Sequence, residues 1–372
     1  MPSSTFNSDR ALDEVSWLRV FGFAFFIFVA VVIAMEWRLA RLHYHRDVLD
    51  TKERWIHERA RASRLGKRAL ILVGRSRFQL GLDLDVLRKD SGLEPVQLAV
   101  DGASVIPVLK GLVDDPAVSG TIMVDYYPGD VDGNKFAGDG RGGLWEMEYE
   151  RLAKLGNPDI SLAAVEKKLS EAVYENLASY ADGTTPLMSL RWRVLSEGLA
   201  PQYVTMAPDR SKMADYRRVR MPDRYYGIVA AELSKATGAR LEAPNSEKYL
   251  EERIKSLSPL NNADFIRGSI SIKHMKMALE NRGGKMIFVK MPMSGMILEM
   301  NDRLFPKEDF QNVFEREVGG LIYSSDDDPE LKEFVCPEGS HLDFRDRANF
   351  TRALDRLIAM RDWTAAGAGS RP

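Results

Sequence analysis

Ala69-Leu70-Ile71-Leu72-Val73-Gly74-Arg75-Ser76-Arg77 is the stretch on which the fold turns. Five consecutive apolar residues without polar alternation predict a strand buried on both faces, the pattern of a parallel sheet. The run stops at a glycine, two residues before a serine able to open a helix. Working outward, the same rhythm returns at Val96–Val100, ending in Asp101-Gly102, and at Thr121–Val124, leading into Asp125-Tyr126-Tyr127-Pro128. A helix that Ser104 could cap is expected over Ser104–Val113. Strand character resumes at Lys285-Met286-Ile287-Phe288-Val289, directly after Arg282-Gly283-Gly284, a glycine helix stop. A shorter fifth strand is expected at Gly320–Tyr323, and Phe350, Leu354, Leu357 and Ile358 form the stripe of a closing helix. Strands alternating with helices predict an α/β fold, here a three-layer α/β/α sandwich on a five-stranded parallel sheet.

The rhythm breaks over about 138–275, which is expected to be a helical insertion. Leu162, Val165, Leu169, Val173 and Leu177 fall on one face at helical spacing, with further helices around Met188–Ser196, Tyr226–Thr237 and Ser246–Ser256. At the other end of the chain, every residue from Val20 to Met35 is apolar or glycine, flanked by Trp17 and Trp37. That length with tryptophans at its borders predicts one membrane helix over 17–37. A cleaved signal peptide is disfavoured, because no small-x-small site follows. The organisation expected is a disordered 1–16, the membrane helix, a charged helical stalk over 38–66, the main domain over 67–362 and a flexible tail over 363–372. Arg38, Arg41, Arg46, Lys52 and Arg54 follow the membrane helix, so flanking charge favours a cytoplasmic domain. Large domains, however, translocate largely regardless of such charge.

Pro337-Glu338-Gly339-Ser340-His341-Leu342 gives the serine its chemistry. A hydroxyl is a poor nucleophile until a base takes its proton, and histidine oriented by a carboxylate is the usual base. Ser76, His341 and Glu338 are therefore a candidate catalytic triad, provided the fold joins the two chain ends. In an open parallel sheet, ligands bind beyond the carboxyl ends of the strands. The turns at Ser76, Gly102 and Asp125 and the loop at His341 should meet at that edge. The N–H groups of Ser76 and Gly102 are natural donors to an oxyanion. Arg75, Arg77 and Asp125 are candidate substrate-binding residues, although Arg77 pairing structurally with Asp101 or Asp125 is the simpler expectation. Asp343 competes with Glu338 as the acid, but its place just ahead of the closing helix fits an N-cap.

A Gly-x-Ser after the first strand, an isolated glycine after the second and an acid-x-x-His before the last helix resemble the SGNH/GDSL hydrolase superfamily. The resemblance covers Ala69–Val124 and Lys285–Leu357 and is closest to the membrane-anchored, polysaccharide-associated branch, in which Gly-x-Ser-Arg replaces Gly-Asp-Ser. It implies Ser76 as nucleophile, His341 as base, Glu338 as orienting acid, and Ser76 and Gly102 as oxyanion donors. It also implies a serine esterase or O-acyltransferase acting on an acylated carbohydrate or lipid-linked envelope substrate. Two departures stand out: glutamate replaces the usual aspartate, and the asparagine expected after the third strand is absent from Val124–Asp130. Losing such a donor typically costs about 10²–10³ in rate, so either another group substitutes, with Arg75 or Arg77 as candidates, or the chain is a non-catalytic member that binds a glycan or scaffolds an envelope assembly. The location implied is a bacterial-type inner membrane, single-pass, with an extracytoplasmic domain and envelope protein partners.

Composition narrows the alternatives. The 372 residues are 45% hydrophobic and 28% charged, enough to build a full core. A net charge of -2 gives no global attraction to nucleic acid. Cys336 is the single cysteine, so no intramolecular disulfide forms. Asp130-Val131-Asp132-Gly133-Asn134 hints at a calcium loop, but Lys135 and Arg141 stand where the EF-hand needs glycine and glutamate. No metal site and no cofactor are expected.

Overall fold

The computed structural model describes residues 16–132, 140–155, 169, 172–195, 203–218, 251, 254–255 and 260–368. The expected helix Tyr226–Thr237, most of Ser246–Ser256, and Leu162 and Val165 lie outside these residues, as do Asn134 and Lys135. The chain forms two compact units, Met1–Asp47 with Val165–Pro201, and Val48–Ala164 with Gln202–Pro372.

The first unit is built on helix α1, Trp17–Arg41. It is long and apolar enough to cross a membrane, with a mean hydropathy of 2.6 over its apolar window. Its last turns pack Met35 and Leu39 against Ala178, with Leu190 and Val194 alongside.

The second unit starts with α2, Lys52–Leu65, which leads into β1, Ala69–Val73. Then come α3 (Ser76–Gly81), α4 (Leu84–Ser91), β2 (Glu94–Gln97), α5 (Ile106–Asp114), β3 (Thr121–Asp125) and α6 (Arg141–Leu155). The first unit's α7 (Pro186–Ser189) precedes a hairpin of β4 (Val204–Met206) and β5 (Lys212–Ala214). The chain closes with α8 (Asn262–Glu280), β6 (Lys285–Lys290), α9 (Gly295–Leu304), α10 (Gln311–Val318), β7 (Ile322–Ser324) and α11 (Phe344–Ala368). Five strands form one parallel sheet in the order β2-β1-β3-β6-β7.

Alternate residues of each strand serve opposite faces of the sheet. Ala69, Ile71 and Val73 join one cluster with Trp55 of α2, Leu109 of α5, Phe265 of α8 and Phe314 of α10. Leu70 and Leu72 join another with Phe78 of α3, Leu87 of α4 and Phe350 and Leu354 of α11. A strand covered on both sides can be apolar throughout, which is why β1 reads as an unbroken run.

Four expectations are corrected. The stretch expected as a helical insertion, about 138–275, is not all helical: its described residues include the β4–β5 hairpin. Residues 38–66 are not one solvated stalk: α1 ends at Arg41, the backbone turns at His43 with φ 63°, and α2 lies on the sheet. Of the charged residues on α2, Glu53 and Arg64 are exposed, but Glu58 and Arg59 are buried and paired. Arg59 is 1% exposed, donates to both carboxylate oxygens of Glu146 at 3.0 and 3.1 Å, and reaches Asp115 at 3.2 Å. The second ladder begins earlier than Val96, at Glu94. Beyond Gln97 only single bonds continue it, from Leu98 N–H to Leu72 O and from Val100 N–H to Gly74 O. The helix expected from Ser104 starts at Ile106, with the Ser104 hydroxyl accepting the Ile106 N–H at 3.4 Å.

The hairpin matters because of what it carries. Arg210, fully buried at φ 66°, donates to Gln97 O at 2.7 Å and Ala99 O at 3.0 Å and pairs with Asp50. These bonds pin β4–β5 beside the carboxyl end of β2 and fix the segment that continues to Tyr216.

Candidate active site

Ser76 is delivered by a turn too tight for a side chain. A Cβ on Gly74 would sit 2.8 Å from Asp125 Cβ and 2.9 Å from Phe78 Cγ. The chain therefore passes from β1 to α3 within two residues, and Ser76 is the first residue of that helix. Its N–H has no acceptor inside the helix, as at any helix start.

His341 lies on the loop between β7 and α11, which is shaped by Gly339 at φ 94°. A Cβ there would meet Ile297 Cγ1 at 2.5 Å. The loop is tied to the chain after β6: Ser294 N–H donates to Gly339 O at 2.8 Å, and Cys336 N–H donates to the Ser294 hydroxyl at 2.9 Å. Cys336 is buried, and its thiol lies 3.3 Å from Pro292 O. Desolvation pushes that thiol's pKa up, which keeps it protonated and unreactive.

The two chain ends meet. His341 Nε2 lies 2.8 Å from Ser76 Oγ, and His341 Nδ1 lies 2.5 Å from Glu338 Oε1. Glu338 is 4% exposed and accepts two further bonds, from Tyr216 Oη at 2.9 Å and from Ser340 Oγ at 2.9 Å. Burial alone would raise its pKa, but the bonds from His341, Ser340 and Tyr216 outweigh burial and hold the carboxyl below its usual range. An ionised Glu338 accepts Nδ1–H, which leaves Nε2 as the acceptor facing the serine hydroxyl. Asp343 is not part of this chain of bonds. It caps α11 by accepting the Arg345 N–H at 3.0 Å and also accepts the Tyr216 N–H at 3.2 Å.

Ser76, Ser340 and His341 open into a cleft of about 190 Å³. Its lining includes Arg75, Arg77 and Tyr127, together with Met293 and, from α9, Ile297, Met300, Asn301 and Leu304. Both guanidinium groups already have carboxylate partners. Arg75 is bonded to Asp130, with Nε at 2.9 Å, and Arg77 Nε lies 3.6 Å from Asp125. Arg77 thus takes Asp125, one of its two expected partners. Asp125 is 1% exposed beneath Gly74 and does not line the cleft; burial raises its carboxyl despite Arg77. Gly102 is not among the cleft-lining residues either.

Two residues escaped the sequence reading. Tyr216 follows the β4–β5 hairpin, far from either motif, and no spacing signals it. Asn301, on α9, lines the cleft and is 5% exposed. Its side-chain oxygen has no partner among the described residues, and its amide nitrogen reaches only Asp302, at 3.4 Å. The spacing Ile297, Met300, Asn301, Leu304 is one helix face, but only the loop packed against it shows that this face borders the site. Among the described residues, no three histidine, cysteine, aspartate or glutamate side chains gather as a metal site.

No protein-family model matches this chain, and no curated protein does.

Proposed function

We propose that this protein is a membrane-anchored serine esterase or O-acyltransferase with a three-layer SGNH-type α/β/α domain. One observation carries the reading: a serine hydroxyl, an imidazole and a buried carboxylate joined end to end at the mouth of a cleft. The parallel order β2-β1-β3-β6-β7, with a separate apolar cluster on each sheet face, agrees with that domain type.

The reaction begins when an acyl ester enters the cleft. Ser76 Oγ attacks the carbonyl carbon while His341 Nε2 takes the hydroxyl proton, and Glu338 stabilises the imidazolium through Nδ1–H. Negative charge develops on the former carbonyl oxygen. The Ser76 N–H is one donor to it, and the Asn301 carboxamide is the second, in the role of the asparagine absent after β3. The C–O bond to the leaving alcohol breaks as His341 returns its proton to that oxygen, leaving an acyl-Ser76 ester. Water or an acceptor hydroxyl, deprotonated by His341, then releases or moves the acyl group. The carbohydrate or lipid-linked nature of the substrate rests on the family resemblance, as does the extracytoplasmic side of a bacterial-type inner membrane. The apolar helix α1 is the anchor.

The test is hydrolysis of an aryl acetate by the detergent-solubilised full chain. The expected result is turnover that Ser76→Ala reduces by at least about 10³-fold. Turnover equal in wild type and Ser76→Ala would overturn the proposal and leave the glycan-binding scaffold as the better reading.

A further inference from the structure

The segment that packs on the end of α1 carries a surface that the acyl-transfer chemistry does not use. Glu36, the residue directly after the apolar run, receives the N–H groups of Ala178 and Ser179 at 2.8 and 3.0 Å, one on each carboxylate oxygen. Arg193 is buried beside them, 4.7 Å from the centre of the Tyr44 ring, and donates to Ala181 O at 3.1 Å. Ser189 donates to Ser179 O at 2.5 Å. The charge-assisted Glu36 bonds thus fasten the segment to the last turns of α1, the Ser189 and Arg193 bonds brace it internally, and its small core with the helix is Met35, Leu39, Tyr44 and Ala178.

Several of its apolar side chains are exposed. Leu187 is 75% exposed and Leu195 73%, with Val173, Met188 and Trp192 also exposed. Trp37 is exposed on α1 in the same region and carries Arg41 over its ring at 4.1 Å. Arg38, Arg41 and Arg191 are exposed cations of this unit. Bulky aliphatic residues, tryptophans and arginines together form the chemistry of a membrane–water interface. The position fits as well: Met35 to Leu39 follow directly on the exposed apolar shaft of α1, where a spanning helix would leave the hydrocarbon.

From this we infer that residues 172–195 form an interfacial foot, which lies on the phospholipid headgroup layer with Leu187, Trp192 and Leu195 inserted. The inference rests on α1 being the membrane anchor. Its occupant is the bilayer that α1 itself enters, because the residues on which the foot is packed, Met35, Glu36 and Leu39, come directly at the end of the exposed apolar run of that helix. The foot would hold the end of α1 at a fixed depth, where α1 alone would be free to slide and tilt.

Nitroxide labels on single introduced cysteines, Phe25→Cys, Lys89→Cys, Leu187→Cys and Leu195→Cys, test this in the full-length chain. All four sites are exposed, and the unmodified chain reports any labelling of buried Cys336. The protein is reconstituted in phosphatidylcholine–phosphatidylglycerol vesicles, and the accessibility of each label to oxygen is compared with that to a water-soluble nickel chelate. The expected oxygen-to-nickel ratio at Leu187 and Leu195 is several-fold above that at Lys89 and below that at Phe25. Ratios at Leu187 and Leu195 equal to Lys89, with Phe25 still in lipid, would overturn the foot and leave the anchor intact. Protection of both labels from both reagents would overturn it in favour of a protein partner or a second copy. An aqueous Phe25 label would overturn foot and anchor together.

Discussion

The turns that follow β1 and β2 begin alike and end differently. Both leave neighbouring parallel strands at their carboxyl ends, and both use a glycine. Gly74 is wedged under Asp125 and Phe78, so the chain must enter α3 at once, and Ser76 lands in the cleft. The chain after β2 runs on through Leu98 and Val100, still bonded to the β1 strand and its turn, before turning at Gly102 with φ 65°. A Cβ on Gly102 would meet nothing within 4 Å, and Asp101 is held by Lys212 and by Arg141, which donates to its carbonyl at 2.9 Å. Topology brings both turns to one edge of the sheet. Local partners decide which of them enters the site.

Breaking the polar chain at the β1 turn should have the largest effect. Glu338→Gln keeps the shape but cannot enforce Nδ1–H on His341, so kcat should fall by about 10³–10⁴ with KM little changed. Next comes the contrast between Asn301, the proposed oxyanion donor, and Gly102 of the β2 turn. Asn301→Ala should lower kcat by about 10²–10³. Gly102→Ala should leave kcat within about tenfold and cost about 1 kcal/mol of stability in urea unfolding, the strain of a side chain at positive φ. Reversed effects would place the oxyanion at the β2 turn and erase the distinction between the two turns.

The smallest effect concerns Tyr216. Tyr216→Phe removes one donor from a buried carboxylate and should cost about 1 kcal/mol. It also has a pH signature. Glu338 titrates lower folded than unfolded, so it adds stability above its unfolded value of about 4.3, and that stability is lost as pH falls through the lower folded value. Without the tyrosine hydroxyl the folded value rises toward 4.3, so the window narrows. The acid limb of kcat should then move to higher pH, which a purely structural tyrosine would not cause.

Much of this was legible in the chain. The parallel strands announce themselves because burial on both faces leaves no polar positions in Ala69–Val73. Ser76, Glu338 and His341 are recognisable because their spacing to strand and helix ends is local. Tyr216 and Asn301 were not legible. Each reaches the site through a neighbour distant in sequence: the Arg210 clamp brings Tyr216 close, and the Gly339 loop makes one face of α9 a cleft wall. The 38–66 stretch misled for the opposite reason. Its charges looked solvated, yet Arg59 finds Glu146 and Asp115, residues that no local pattern connects to it.

The central claim is an activated nucleophile at Ser76, and covalent trapping tests it most directly. The full-length protein, treated with a fluorophosphonate and digested for peptide mass spectrometry, should carry one adduct on Ser76. Labelling should vanish in Ser76→Ala and slow by orders of magnitude in His341→Ala. An unmodified Ser76 in the folded wild-type chain, or labelling that His341→Ala leaves unchanged, would contradict the account.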